Sequence, residues 1–218
     1  MKKFTFALTV VAFMLFAVSP LLAKGMTIGV KGGLNLATFN GRDEEGTTTR
    51  VGALGGGFMC YNVTETFLGI QPELLFSMKG ADVTDTDASL HFNYLEIPVL
   101  LKLRLFTEGK IKPSFLIGPA LGVLLSATSQ SGDSSADTKQ YLKTLDFGIV
   151  VGASVGYEMA KNVAFIEARY EAGLGTVWDY TDEELRALGE AAGLQGPIEQ
   201  PEMKNGVFSL MLGYGIGF

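Results

Sequence analysis

Cysteine and histidine are almost missing from this chain, which has one of each among 218 residues. A single thiol forms no internal disulfide, and one Cys with one His cannot build a metal cluster. Charged residues are also few, at 18%, whereas 47% of the residues are hydrophobic. This balance excludes a disordered chain and a nucleic-acid-binding domain. The net charge of −6 likewise predicts no nucleic-acid partner.

Long hydrophobic runs are absent after the N-terminus. A transmembrane helix needs about 18 or more consecutive apolar residues, and beyond residue 23 Gly, Asn, Glu or Lys interrupts every such stretch. The run Phe4–Val18 is the exception: it follows Lys2 and Lys3 and precedes Ser19–Ala23, which holds a proline and a small last residue. This pattern predicts a secretory signal peptide over residues 1–23, the alternative being a retained anchor helix. Residues 24–218 then form the exported domain.

The exported part of the chain has instead a hydrophobic period of two residues. In Leu145–Met159 the odd positions are apolar or aromatic, and most even positions are Gly, Ser or acidic residues. The segment that ends at Phe218 alternates in the same way, which is the pattern of a β-strand with two different faces. Five further segments alternate, beginning near Ile28, Leu68, Tyr94, Ser114 and Ile166. With Val51–Asn62, whose glycines leave its register open, the total is eight strands.

The two faces of these strands predict a barrel in a membrane. An eight-stranded barrel has an interior just wide enough to be filled by side chains, and the bulky apolar face is too large for it. The other face is rich in Gly, Ala and Ser, such as Ser126 and Gly152, which do fit into this interior. It also carries charges that nearly balance: Lys31, Lys79, Lys102, Arg104 and Arg169 with Glu73, Glu96, Asp146, Glu158, Glu167 and Glu171. We therefore predict an all-β fold, an eight-stranded antiparallel up-and-down transmembrane barrel whose apolar face contacts outer-membrane lipid and whose lumen holds paired charges.

The connections and the aromatic residues fit this barrel. Short turns alternate with longer polar segments, which begin after Phe39, Lys79, Ala127 and Val177. Short periplasmic turns and long outer loops are typical of outer-membrane barrels, so both termini are expected at the short-turn end. Aromatic residues near the strand ends predict two interfacial girdles. At the long-loop end they are Phe39, Phe76, Phe92, Tyr94, Trp178, Tyr180 and Phe208, and at the short-turn end they are Tyr61, Phe67, Phe106, Phe115, Tyr157, Phe165 and Phe218.

Three prolines lie within predicted strands, Pro72, Pro98 and Pro119. Proline has no N–H to donate to a neighbouring strand, and a closed barrel has no free edge on which to place it. We therefore expect a local bulge at each of the three.

Four segments of the chain resemble the PorT-like outer membrane β-barrel family: Gly29–Asn35, Gln71–Gly80, Asn93–Lys102 and Gly118–Gly122. The resemblance extends over nearly the whole exported part. It implies an eight-stranded barrel in the outer membrane of a Gram-negative bacterium, and members are commonly described as porin family proteins. The last strand, ending in Phe218, resembles the signal recognised by the barrel assembly machinery, which is the partner that the resemblance implies.

Residues able to carry chemistry are scarce. His91, with Asp87 and Ser89 nearby, could act in acyl transfer, but no nucleophile turn accompanies it. Cys60 is expected to be an inert small residue in a strand. The acidic groups Asp43–Glu45 and Asp82, Asp85 and Asp87 lack the spacing and glycine of a calcium loop. We therefore predict no catalytic, cofactor-binding or metal-binding residue, and no enzyme.

The segment 178–205 is the most informative loop. Thr181 and Glu184 form a capping box, which predicts a short helix over Asp182–Ala192. A folded loop either closes the mouth of its own barrel or contacts an unknown partner. The predicted function is a structural or loop-mediated interaction role in the outer membrane. The alternatives are a passive small-solute porin and a membrane lipid-modifying enzyme.

Overall fold

The computed structural model describes residues 25–41, 47–63, 67–84, 88–106, 108–132, 134–191, 193, 198–199 and 202–218. The predicted signal peptide, residues 1–23, lies outside the described residues. The strands are β1 Met26–Gly41, β2 Thr47–Asn62, β3 Leu68–Val83, β4 Ala88–Arg104, β5 Ile111–Ser131, β6 Ser134–Asp137, β7 Leu145–Met159, β8 Asn162–Gly173 and β9 Met203–Gly217. One α-helix, α1 Asp182–Ala191, precedes β9. No helix in the described part of the chain is long and apolar enough to cross a membrane.

Eight of the strands close into a barrel. Each pairs antiparallel with its neighbours in the order β1-β2-β3-β4-β5-β7-β8-β9, and β9 pairs back onto β1. Ile28 of β1, for example, lies between Met59 of β2 and Ile216 of β9. The short strand β6 pairs only with the end of β5 and extends it as a hairpin. The prediction of an eight-stranded antiparallel barrel is confirmed.

The side chains alternate between outside and inside as predicted. On β1, Val30 is 66% exposed, whereas the adjacent Lys31 is 4% exposed. The register of β2 is now clear, because Arg50, Leu54, Phe58 and Cys60 are buried in the interior. The apolar surface therefore covers the outside of the barrel, and the charged side chains lie inside.

One inward residue was predicted wrongly. Asn93 of β4 pairs with Ser126 of β5, but the next residue, Tyr94, pairs with Leu124, so Leu125 has no partner across the ladder. Such a bulge adds one residue to one strand and reverses the alternation beyond it. Ser126 therefore points outward, where its Oγ accepts a hydrogen bond of 2.9 Å from Asn93 Nδ2.

The bulges expected at the three prolines are not present. The register is the same on both sides of Pro72, which pairs with Val99, and the same holds around Pro98 and Pro119. The register shifts between described strands lie elsewhere, between Thr49 and Leu54 and at Asn93. The missing N–H removes a hydrogen bond from the ladder without requiring an extra residue, so the pairing is interrupted but not displaced.

The strands are longer than predicted at the long-loop end. The predicted loops after Phe39 and Lys79 are mostly strand, because the connections there span only residues 42–46 and 84–87. A strand needs about 9 to 11 residues to cross a bilayer, and β5 has 21. The barrel wall therefore projects beyond the lipid. The long connections are residues 132–144 and 174–202.

Candidate functional site

A network of buried ion pairs fills the middle of the barrel. Lys31 Nζ lies 2.7 Å from Glu73 Oε1 and 2.8 Å from Glu167 Oε1. Lys79 Nζ makes the same kind of bridge, at 2.7 Å to Glu96 and 2.8 Å to Glu171. All of these side chains are at most 5% exposed. Each lysine thus holds together two carboxylates that come from different strands.

Arg169 joins the two lysine centres. Its Nη1 lies 2.8 Å from Glu73 Oε2, and its Nη2 lies 3.7 Å from Glu96 Oε2. Gln71 adds a neutral contact, because its Nε2 donates a hydrogen bond of 2.7 Å to Glu73. Three cations and four carboxylates are thereby connected across β1, β3, β4 and β8. Seven of the predicted lumen charges meet in one network.

The other predicted lumen charges form none of these ion pairs. Asp146 Oδ2 accepts a hydrogen bond of 2.7 Å from Asn205 Nδ2, towards the long-loop end. Lys102, Arg104 and Glu158 lie at the short-turn end, where they line a separate cavity. Cys60 lines the same cavity and is buried.

An apolar plug closes the lumen at the long-loop end. Phe39, Phe92 and Tyr94, predicted as girdle residues, point inward and are at most 2% exposed. The two phenylalanine rings lie 5.8 Å apart. The plug is completed by Ala81, Leu124, Ala127, Leu142 and Val177.

Phe165, predicted for the girdle at the other end, is also inward, because it packs against Phe58 with the ring centres 5.4 Å apart. Aromatic residues near a strand end indicate a girdle only where the alternation turns them outward.

The two long connections together form a lid over this plug. Lys143 N donates to Val177 O at 2.9 Å, and Asp179 N donates to Tyr141 O at 2.9 Å. Between these two hydrogen bonds, Leu142 forms an isolated antiparallel β-bridge with Trp178. The rings of Trp178 and Tyr180 stack at 5.4 Å, and Tyr141 lies 5.7 Å from Tyr180. Leu142 and Val177, one from each connection, are buried in the plug. Residues 141–143 and 177–180 therefore close the mouth of the barrel.

The helix α1 begins at the predicted capping box. Glu184 N donates to Thr181 Oγ1 at 3.3 Å, while Thr181 N and Oγ1 both donate to Glu184 Oε2 at 2.8 Å. These hydrogen bonds hold the pKa of the Glu184 carboxyl below its usual value. Leu185 faces inward and is buried, whereas Glu183 and Arg186 are exposed. The helix thus presents a charged face to the surroundings.

An open cleft of about 590 Å³ adjoins the lid. It is lined by Asp137, Lys139, Gln140, Leu142, Thr144 and Asp179. Lys139 is held by the wall, since its Nζ donates to Leu125 O at 2.7 Å. Both aspartates are exposed, so the cleft presents carboxylates to a ligand or partner.

The histidine considered for acyl transfer contacts a serine but has the wrong protonation for a base. Ser89 Oγ lies 2.7 Å from His91 Nε2, and Arg50 Nη2 lies 3.1 Å from His91 Nδ1. A guanidinium can only donate, so Nδ1 accepts and the ring proton sits on Nε2, facing the serine. A histidine in this form cannot take the serine proton. Asp87 and the acidic residues 43–45 and 85 lie outside the described residues.

Comparison with known proteins gives a family. The family model described as "outer membrane protein beta-barrel domain" matches residues 17–179. The chain belongs to this family. A search of curated proteins finds no match. The protein is accordingly located in the cell outer membrane, in agreement with its outward apolar face.

Solved structures of three outer-membrane proteins are similar in fold to this chain. Neisserial surface protein A is 14% identical, with a TM-score of 0.53 over 88% of this chain and 97% of that one. OprG from Pseudomonas aeruginosa is 13% identical, with a TM-score of 0.50 over 89% and 97%. A major outer membrane protein from Thermus thermophilus is 11% identical, with a TM-score of 0.51 over 90% and 100%. At these identities the likeness concerns the fold alone.

Proposed function

We propose that this outer-membrane barrel does not conduct solutes and that its role is structural or interactive, carried by the long-loop end. The observation that supports this most is the filling of the lumen. The apolar plug lies at the long-loop end, the ion-pair network lies in the middle, and the Phe58 and Phe165 rings meet near the short-turn end. A solute would have to disrupt all three levels to pass.

The passive porin is the second candidate, and single-channel recording separates the two. In planar bilayers the refolded protein should give no steps above the bare bilayer, because the buried side chains leave no continuous water path. A large porin reconstituted in the same way is the positive control, because its water-filled channel conducts under these conditions. Stable unitary conductance of the purified barrel would contradict the proposal and favour the porin.

The surface of the lid supports an interaction with a positively charged partner. Its exposed charges are mostly acidic, and they comprise Asp137, Asp179, Asp182, Glu183 and Glu190 beside Arg186. A surface of one charge sign attracts partners of the opposite sign and speeds their encounter. The described part of the lid therefore presents both a folded helix and a charge preference.

A site-specific crosslinking experiment tests the interaction. A photoreactive residue in place of Glu183, on the exposed face of α1, should form a defined adduct in intact cells. The same residue in place of Lys161, exposed in the short turn before β8, is the matched control and should not. Replacing Asp182 and Glu190 by their amides should weaken the adduct, because it removes the charge attraction. Equal adducts at both positions, or none at Glu183, would contradict a partner at the lid.

We also propose the barrel assembly machinery as a partner of the last strand. Phe218 N donates to Met26 O at 2.8 Å, and its side chain is 66% exposed on the outer face. The outward row Phe208, Leu210, Leu212, Tyr214, Ile216 and Phe218 supports a signal read at every second position. Membership of the PorT-like outer membrane β-barrel family, a Gram-negative source and a cleaved signal peptide over residues 1–23 are parts of the same proposal.

Deleting Phe218 should sharply lower the amount of heat-modifiable barrel in outer membranes, because the end of the signal is lost. Phe218→Tyr keeps an aromatic terminus and should insert nearly as well as the unchanged chain. The purified deletion variant should still refold in detergent, which separates recognition from stability. If the deletion variant reached unchanged levels in outer membranes, the C-terminal signal would be wrong.

A further inference from the structure

A cavity opens at the short-turn end of the barrel, on the side opposite the lid. Its volume is about 60 Å³, enough for a few water molecules or one small oxyanion. Its walls are the short-turn ends of β1, β2, β4, β5, β7 and β8. We call it the vestibule and define it by Lys102, Arg104, Lys112, Ser114, Glu158 and Phe165.

The charges that line the vestibule are mostly positive. Lys102, Arg104 and Lys112 face it together with one carboxylate, Glu158. The Lys112–Glu158 pair is loose, with Nζ and Oε2 3.5 Å apart. In the ion-pair network above, by contrast, carboxylates outnumber cations by four to three. An anion is therefore attracted into the vestibule and repelled from the lumen beyond it.

Arg104, which lines this cavity, carries hydrogen-bond donors that have no acceptor among the described residues. Its Nε and Nη2 are buried atoms without a hydrogen-bond partner among the described residues, and the same is true of Ser114 Oγ. The two residues are cross-strand partners on β4 and β5. Leaving buried donors unpaired is costly, so such groups normally have a partner, a water molecule or an ion. Nε and one Nη of a guanidinium are the pair of donors that fits two oxygens of one oxyanion.

The floor of the vestibule makes these charges more effective. Phe58 and Phe165 meet edge to face at 5.4 Å, and Cys60 packs with them. Lys102 Nζ lies 5.4 Å from the centre of the Phe165 ring and 3.4 Å from Gln71 Oε1. An apolar floor lowers the local dielectric constant, which strengthens the attraction between a cation and an anion.

We propose that the vestibule is a binding site for one small oxyanion, a phosphate or a carboxylate, held by Arg104 and Ser114 and flanked by Lys102. Short turns of outer-membrane barrels face the periplasm, so the ligand enters from that side. The site lies at the opposite end from the lid and does not depend on the role proposed for the lid. Because the ion-pair network closes the path beyond the Phe165 ring, the ligand is bound and released at the same mouth.

Calorimetric titration of the refolded full barrel tests this site. The protein is held in a maltoside detergent, which contributes no phosphate or carboxylate, at constant ionic strength. Inorganic phosphate is titrated in one arm and acetate in the other, so that the arms separate a phosphate ligand from a carboxylate. Arg104→Gln should weaken binding of the preferred anion by about tenfold or more, the effect of losing one charge-assisted pair of hydrogen bonds.

A second variant and a control make the outcome decisive. Lys102→Gln should also weaken binding, which covers the case that Arg104→Gln refolds poorly. Lys110→Gln removes a cation from the same short turn but not from the vestibule lining, and should bind like the unchanged protein. Absence of binding in both arms, or equal weakening by Lys110→Gln, would overturn the proposal, because the effect would then be absent or a general attraction to positive charge.

Discussion

Arg169→Met is expected to lower the free energy of unfolding by about 3 to 5 kcal/mol, the usual cost of breaking a buried ion pair from one side. The Arg169 side chain is 1% exposed and bridges Glu73 and Glu96. Its removal leaves two lysines to balance four carboxylates in a space closed to bulk water. Urea unfolding of the barrel refolded in lipid measures the loss.

The matched control for this variant restores the charge balance. In the double variant Arg169→Met with Glu73→Gln, one stranded carboxylate is gone, so the loss should be clearly smaller than in Arg169→Met alone. A loss below about 1 kcal/mol for Arg169→Met would be typical of exposed, water-screened pairs. That result would mean a hydrated lumen and would favour the passive porin.

Val151→Arg is expected to cost about 2 to 4 kcal/mol of folding free energy in a bilayer, the value for a cation near the middle of the lipid face. Val151 is 54% exposed and lies between Ile117 and Tyr170, both outward and exposed. No acceptor is available to a guanidinium in hydrocarbon, so the charge is driven to the interface or strains the strand. Urea titration of folding into lipid vesicles gives the difference.

Two controls separate lipid depth from simple damage to the strand. Val151→Leu keeps an apolar side chain and should change the folding free energy little. Ile111→Arg places the same charge on the outer face at the short-turn end of β5, where the cost should fall to about 0 to 1 kcal/mol. Equal costs for Val151→Arg and Ile111→Arg would be inconsistent with a lipid-facing band centred near Val151.

The neighbouring Gly152 is not a suitable inward control, although its place on the lumen face predicts a much smaller cost for Gly152→Ser than for Val151→Arg. A Cβ built on Gly152 would lie 2.7 Å from Cβ of Arg169 and 2.9 Å from the carbonyl oxygen of Ala168. Contacts this short require the backbone or the arginine to shift. A serine there would combine a packing clash with disturbance of the ion-pair network, so its cost would say nothing about facing.

The alternation of residues along each strand was sufficient to predict the barrel and its inside-out arrangement. A period of two assigns each side chain to one of two faces, as for Val30 and Lys31, and the size of the apolar face excludes a lumen made of it. The capping box of Thr181 and Glu184 predicted the start of α1 because both groups lie within one turn. Such features depend on neighbours in the chain, so the sequence contains them.

The remaining features depend on which residues meet across the barrel. Leu125 lacks a partner only because of how β4 and β5 pair, and this reverses the direction of Ser126. The inward packing of Phe39 against Phe92, and the choice of Glu73 and Glu96 as the partners of Arg169, join residues far apart in the chain. Nε and Nη2 of Arg104 have no acceptor among the described residues for the same reason. Closure of the barrel sets these distances, and no local pattern of residues encodes them.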